Sequence, residues 1–148
     1  MIEIRAYDES KPITPDGPHS GDRTRTVADG LHEAFRLLNY ATMPGNGGLE
    51  YPSDLYSVFG SLASALHLFP QALNQMEQWL AKETTDGYVR ENAQYGKHGG
   101  DEFAALHEGQ ALLMDARQTA TSLANRLAEI QSALSGLEST RVEDEDDE

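Results

Sequence analysis

The residues best suited to chemistry gather around position 100. His98, Asp101, Glu102, His107 and Glu108 place imidazole and carboxylate groups within reach of one another if the segment is helical. A divalent metal needs three or four convergent ligands, and a metalloprotease helix carries two histidines four residues apart with a glutamate between them. Because that spacing is absent, we expect a helix start with a solvated face. A metal site remains the weaker alternative.

A glycine-rich segment, residues 43–48, resembles a phosphate-binding loop in composition only. The phosphate loop ends in Lys followed by Ser or Thr, whereas Gly48 is followed by Leu49 and Glu50. A glutamate at this point would repel a phosphate. The segment is therefore expected to form a tight turn between two helices.

A stripe of serines recurs at helical spacing in the following segment. A serine nucleophile needs a base and an orienting acid, and no histidine is marked for the role of base. The pattern predicts no catalytic residues and no cofactor site, so we expect a protein that is not an enzyme. The stripe and a nearby tryptophan are instead predicted to contact a protein partner: Ser53, Ser57, Ser61, Ser64 and Trp79.

Composition limits the classes of protein that this chain can be. It has 148 residues, 39% hydrophobic content, no cysteine and a formal charge of −14. No apolar run is long enough to span a membrane, and the first residues lack the features of a signal peptide, so a cytoplasmic location is expected. The negative charge argues against direct binding to a nucleic-acid backbone, since such binding depends on Lys and Arg.

Two heptad seams indicate the elements that carry these residues. Steps of three and four alternate throughout each seam, as in coiled coils. The first seam is Leu55, Phe59, Leu62, Leu66, Phe69, Leu73, Met76 and Leu80, and the second is Leu106, Gly109, Leu113, Ala116, Ala120, Leu123, Leu127, Ile130, Leu134 and Leu137. The loop between the two segments allows an antiparallel hairpin, with Leu80 near Leu106 and Leu55 near Leu134.

The sequence therefore predicts an all-α fold. A kinked antiparallel hairpin is expected at about 52–83 and 101–137, with a kink or break before Pro70 because proline removes one helical hydrogen bond. A shorter packing helix is expected at about 26–42, capped by Thr24 or Thr26. Together these form a helical domain at residues 26–137.

The two ends of the chain have a different composition. Residues 1–25 are expected to form a short strand followed by an extended linker, because alternating apolar residues precede several prolines and glycines. Residues 138–148 are expected to form a disordered acidic tail. The tail either keeps the protein soluble or docks on a basic partner.

The glycine turn together with Tyr51-Pro52-Ser53-Asp54 and Leu68-Phe69-Pro70-Gln71 resembles small acidic helical-hairpin proteins of unassigned function from actinobacteria. The resemblance covers roughly residues 30–137 and implies a helical architecture without implying an activity. At the level of architecture, Trp79-Leu80-Ala81 is also similar to the Trp-x-Gly turn of the WXG100 helical hairpins, with alanine in place of glycine.

Three functions remain open from the sequence. The first is a non-catalytic helical interaction module, an adaptor or accessory subunit that binds a protein partner or forms a homodimer. The second is a small metal-binding protein or enzyme centred on residues 98–108. The third is an acidic nucleic-acid mimic that inhibits a DNA-binding protein.

Overall fold

The computed structural model describes residues 13–140 and contains three α-helices. They are α1 (Gly21–Ala41), α2 (Pro52–Thr85) and α3 (Glu102–Ala133). The predicted all-α class is confirmed. The N-terminal strand and most of the acidic tail lie outside the described residues. The chain divides into two compact units, Met1–Glu50 and Tyr51–Glu148.

Helix α1 begins at Gly21, before the predicted start near Thr26. Ser20 is its N-cap, because the Ser20 Oγ accepts a hydrogen bond from the Arg23 N–H at 3.2 Å. The predicted caps Thr24 and Thr26 lie inside the helix. Their hydroxyls donate to carbonyls four residues earlier, each at 3.0 Å, a bond that satisfies threonine within a helix.

The glycine-rich segment after α1 forms turns, as predicted. The Asn46 side-chain amide donates to the Tyr40 carbonyl at 2.7 Å, and the Asn46 N–H donates to the Met43 carbonyl at 3.1 Å. Through its side-chain amide and its backbone N–H, Asn46 therefore satisfies carbonyl groups at and just after the C-terminal end of α1.

Helix α2 begins at Pro52 as predicted and continues through Pro70 as a single helix. The Asp54 carboxylate accepts a hydrogen bond from the Tyr51 N–H at 2.9 Å, which satisfies one donor at the helix start. Proline removes one backbone bond, but half-buried leucines, Leu66 and Leu73, lie on both sides of it. Continuous packing against α3 therefore holds α2 together without a break.

Helix α3 ends at Ala133, short of the predicted Leu137. Leu134 is its C-cap, and residues 134–136 form a turn. The Ser135 Oγ donates to the Ser132 carbonyl at 2.8 Å, and Gly136 follows. Serine and glycine favour the turn over another helical residue.

Helices α2 and α3 form the predicted antiparallel hairpin. At one end Leu80 and Leu106 line the same cleft, and at the other end Tyr56 and Leu134 do so. Among the described residues, no helix combines the length and the apolar character that crossing a bilayer requires.

Candidate interaction surface

Two contacts fix the register of the hairpin. The Arg117 Nη1 donates to the Asn74 Oδ1 at 2.6 Å. The Gln131 side chain lies against Gly60, where a Cβ atom would collide with its amide, so glycine permits this close approach. Residues 74 and 117 therefore lie side by side, as do residues 60 and 131.

The inner face of α3 differs from the predicted seam after Leu113. Ala120 and Ala124 are buried, with Ala124 fully so, whereas Leu123 is 48% exposed and Ala116 is also exposed. A straight helix turns about 20° per heptad away from a strict 3.5-residue repeat, so the residues that face α2 shift by one position. The predicted core positions Phe69, Met76 and Leu137 are likewise exposed.

Arg117 occupies the position that the shift opens. Its Nη1 lies 3.0 Å from the Glu77 Oε2, with both side chains at most one quarter exposed. The buried Glu77 Oε2 accepts no hydrogen bond from the described residues, so Arg117 interacts with it through charge. These three residues form a polar crosslink between α2 and α3.

One side of the hairpin is a continuous, mostly apolar surface, which we call the apolar face. Successive residues are about 100° apart around a helix. The residues of this surface lie about a quarter turn around each helix from the inner face. Because the two helices are antiparallel, these residues point to the same side of the hairpin on α2 and on α3. The apolar face consists of Leu62, Ala65, Phe69, Ala72 and Met76 on α2 and Leu112, Ala116, Thr119, Leu123 and Ile130 on α3. Thr119 is its one polar member, and it is uncharged.

The large side chains of the apolar face are strongly exposed. The exposed fraction is 42% for Phe69, 54% for Met76 and 63% for Leu112. No Asp, Glu, Lys or Arg occurs on α2 between Asp54 and Glu77. A contiguous uncharged surface of this kind is typical of a binding site.

The opposite side of the hairpin is mostly polar. Phe103 and Met114 are its large apolar residues. Its polar positions, next to the crosslink, are His67, Gln71 and Gln78 on α2 and Gln110 and Thr121 on α3. The inner faces of α2 and α3 already cover each other. The two remaining sides of the hairpin differ in polarity: one suits contact with water, and the other is the apolar face.

The connection between α2 and α3 is held by the carboxylate of Glu91. Its oxygens accept hydrogen bonds from the Gly100 N–H at 2.8 Å and from the His98 N–H at 3.1 Å. Gly100 has a φ of +100°, a backbone conformation that favours glycine and lets its N–H reach the carboxylate. The connection is therefore an ordered loop.

His98 joins this loop to α3. Its Nδ1 lies 3.2 Å from the Glu91 Oε1, and its Nε2 lies 2.9 Å from the Glu108 Oε2. Lys97 also pairs with Glu108. Because carboxylates only accept hydrogen bonds, both ring contacts are hydrogen bonds when the imidazole is protonated.

Both carboxylates of this cluster favour the charged form. Burial opposes ionisation of Glu91, but the backbone N–H groups of Gly100 and His98 and the His98 ring outweigh it and lower the pKa of Glu91. The hydrogen bond from Lys97 lowers the pKa of Glu108, although partial burial acts to raise it. The charges of Lys97 and His98 lower the pKa further.

The structure separates the predicted metal candidates. Only His98 belongs to the loop cluster. The Asp101 carboxylate caps α3 by accepting the Ala104 N–H at 2.9 Å, while Glu102 lines a cleft and His107 is exposed. Among residues 13–140, no group of three or more histidine and acidic side chains could hold a metal ion.

The predicted interaction residues are exposed but do not belong to the apolar face. Ser53, Ser57, Ser61 and Ser64 are on the outer side of α2, and the Ser57 Oγ donates to the Ser53 carbonyl at 2.9 Å. Trp79 is 62% exposed and follows Met76 at the edge of the apolar face.

Two features that organise the hairpin were missed from the sequence. Glu91 follows a turn signal and precedes several glycines, a composition that marks a loop without revealing which side chain holds it. Arg117 lies four residues after Leu113 and three before Ala120. A predicted seam with a four-residue step after Leu113, in place of the three-residue step to Ala116, would have included Arg117.

Comparisons with protein-family models, with curated proteins and with solved structures find no match to this chain.

Proposed function

We propose that this protein is a non-catalytic helical interaction module that binds a protein through the apolar face. The observation that supports this proposal is the exposure of Phe69, Met76 and Leu112 on one uncharged side of a hairpin whose helices already pack on each other. Covering such a surface removes apolar area from water, at about 25 cal/mol for each Å² buried.

The ordered loop supports the same proposal. The bonds to Glu91 and His98 join the loop to itself and to α3. A fixed connection limits relative sliding of the two helices, so both halves of the apolar face keep their relative position. A surface that is already arranged loses less conformational entropy when a partner binds.

Site-specific photo-crosslinking tests the proposal. A photo-reactive phenylalanine analogue replaces Phe69 on the apolar face, and the matched control carries it in place of the exposed Gln71 on the polar side. Irradiation in a lysate of the native source should yield discrete protein adducts at position 69 and none at position 71. Absence of adducts at position 69, or equal labelling at both positions, would refute the proposal.

A further inference from the structure

We infer that the partner of the apolar face is a second copy of this chain, bound by two-fold symmetry to form a four-helix bundle. This inference rests on the proposed function and adds the identity of the occupant. In the bundle, α2 packs antiparallel on α2 of the second copy, and α3 packs antiparallel on α3.

The dimensions of the face suit such a dimer. The apolar face runs over residues 62–76 of α2 and 112–130 of α3, about 21 and 27 Å at 1.5 Å per residue. The side of the hairpin that carries it continues along helices of 34 and 32 residues, about 50 Å in length, and two helix diameters give a width of about 20 Å. A stable interface buries about 800 Å² on each partner. Another two-helix layer of the same length covers the whole face, whereas a single helix would cover only its central groove.

The residues on α2 suit an antiparallel copy of the same helix. Large and small side chains alternate along the face in the order Leu62, Ala65, Phe69, Ala72 and Met76. A two-fold axis that crosses α2 beside Pro70 places Phe69 opposite Ala72 of the second copy and Met76 opposite Ala65. Large side chains then fill the spaces above small ones, as in a packed core.

The same axis also suits α3. The register fixed by residues 74 and 117 places Pro70 of α2 level with residue 121 of α3. Around that point, Leu112 lies opposite Ile130 of the second copy. Leu123 lies opposite Thr119, whose hydroxyl can bond to a carbonyl of its own helix when it is removed from water. One choice of axis therefore brings large apolar residues opposite uncharged residues on both helices.

Charges at the border of the face agree with this arrangement. Asp115 and Arg126 lie at the outer edge of α3, and both are exposed. Arg126 also pairs with Glu129 of its own helix, with 2.6 Å between Nη1 and Oε2. The axis chosen from the apolar residues brings Asp115 close to Arg126 of the second copy, and by symmetry this pair occurs twice. Opposite charges at the border of an interface favour this register over a shifted one.

Sedimentation equilibrium of the purified 148-residue chain tests the inference. The chain should sediment as a dimer, and Phe69→Glu should convert it to a monomer with unchanged helical circular dichroism. The control Gln71→Glu adds the same charge on the polar side and should remain dimeric. A monomer at all concentrations up to 0.1 mM, roughly the weak end of specific association, or a dimer that survives Phe69→Glu, would overturn the inference.

A charge exchange tests the register independently of folding defects. Asp115→Arg and Arg126→Asp should each weaken homodimerisation about three- to tenfold, since like charges then meet twice. A mixture of the two variants restores both pairs and should dimerise as the unmodified chain does. Weakened association that persists in the mixture would refute the two-fold axis.

The crosslinking experiment separates the two proposals. Adducts between position 69 and a different protein, together with a monomeric purified chain, would overturn self-association and leave the interaction function standing. A dimeric purified chain whose position 69 labels a second copy supports both.

Discussion

Replacing Leu106 with alanine tests the packing of α2 on α3. Leu106 is 8% exposed and lines a cleft with Leu80, Thr84 and Val89. A core Leu→Ala substitution costs about 2–5 kcal/mol, and the cost rises with the volume of the cavity left behind. Because this cleft of about 220 Å³ is already open, the removed atoms enlarge an existing space. We therefore expect a loss near the lower limit, about 2.5 kcal/mol.

The matched control is Leu68→Ala, which removes the same atoms from a side chain that is 70% exposed and not on the apolar face. Its cost should stay within about 0.5 kcal/mol. Urea unfolding followed by circular dichroism at one fixed protein concentration measures both values, and fixing the concentration removes any effect of association. Equal losses for the two variants would contradict the placement of Leu106 on the inner face.

Three further predictions concern the loop cluster and the hairpin interior. Because the pKa of Glu91 is lowered on folding, its contribution to stability is present at neutral pH and is lost as pH falls below the ordinary value of 4.5; Glu91→Gln should flatten the dependence of melting temperature on acidic pH. Arg117→Met should cost about 1–3 kcal/mol in urea unfolding by leaving Glu77 without its cation, and adding Glu77→Gln should recover part of that loss. Ala124→Leu should cost about 1–3 kcal/mol by overfilling a fully buried position, and a neutral result in the same assay would contradict the close approach of the helices.

The pattern of apolar residues predicted the helices and their antiparallel pairing. Pro52 marked the start of α2, and the two seams placed Leu80 near Leu106. Hydrophobic spacing reports which residues recur on one side of a helix, and this was sufficient to predict the hairpin.

The same pattern did not resolve which residues lie inside and which lie beside the interface. Leu123 and Ala124 are neighbours in sequence, and only the crossing of the two helices decides that Ala124 is buried. The strict heptad therefore assigned exposed positions such as Met76 to the core. Of those misassigned side chains, Phe69, Met76, Ala116 and Leu123 belong to the apolar face.

The polar contacts were also beyond prediction from the sequence. Asn74 and Arg117 are 43 residues apart, and their hydrogen bond depends on the register of the hairpin. Glu91 acts through backbone N–H groups, which every residue except proline carries, so no side-chain pattern identifies its partners.

The register of the hairpin has a consequence for the order in which the protein folds. The cleft beside the Glu91 loop is lined by residues close in sequence, such as Thr84 and Leu106. Tyr56 and Leu134, which line the cleft at the other end, are separated in sequence by most of the hairpin. The entropy lost on closing a loop grows with its length. Pairing is therefore expected to start at the loop and advance towards Pro52, with the Pro52 end the first to separate when the native hairpin opens.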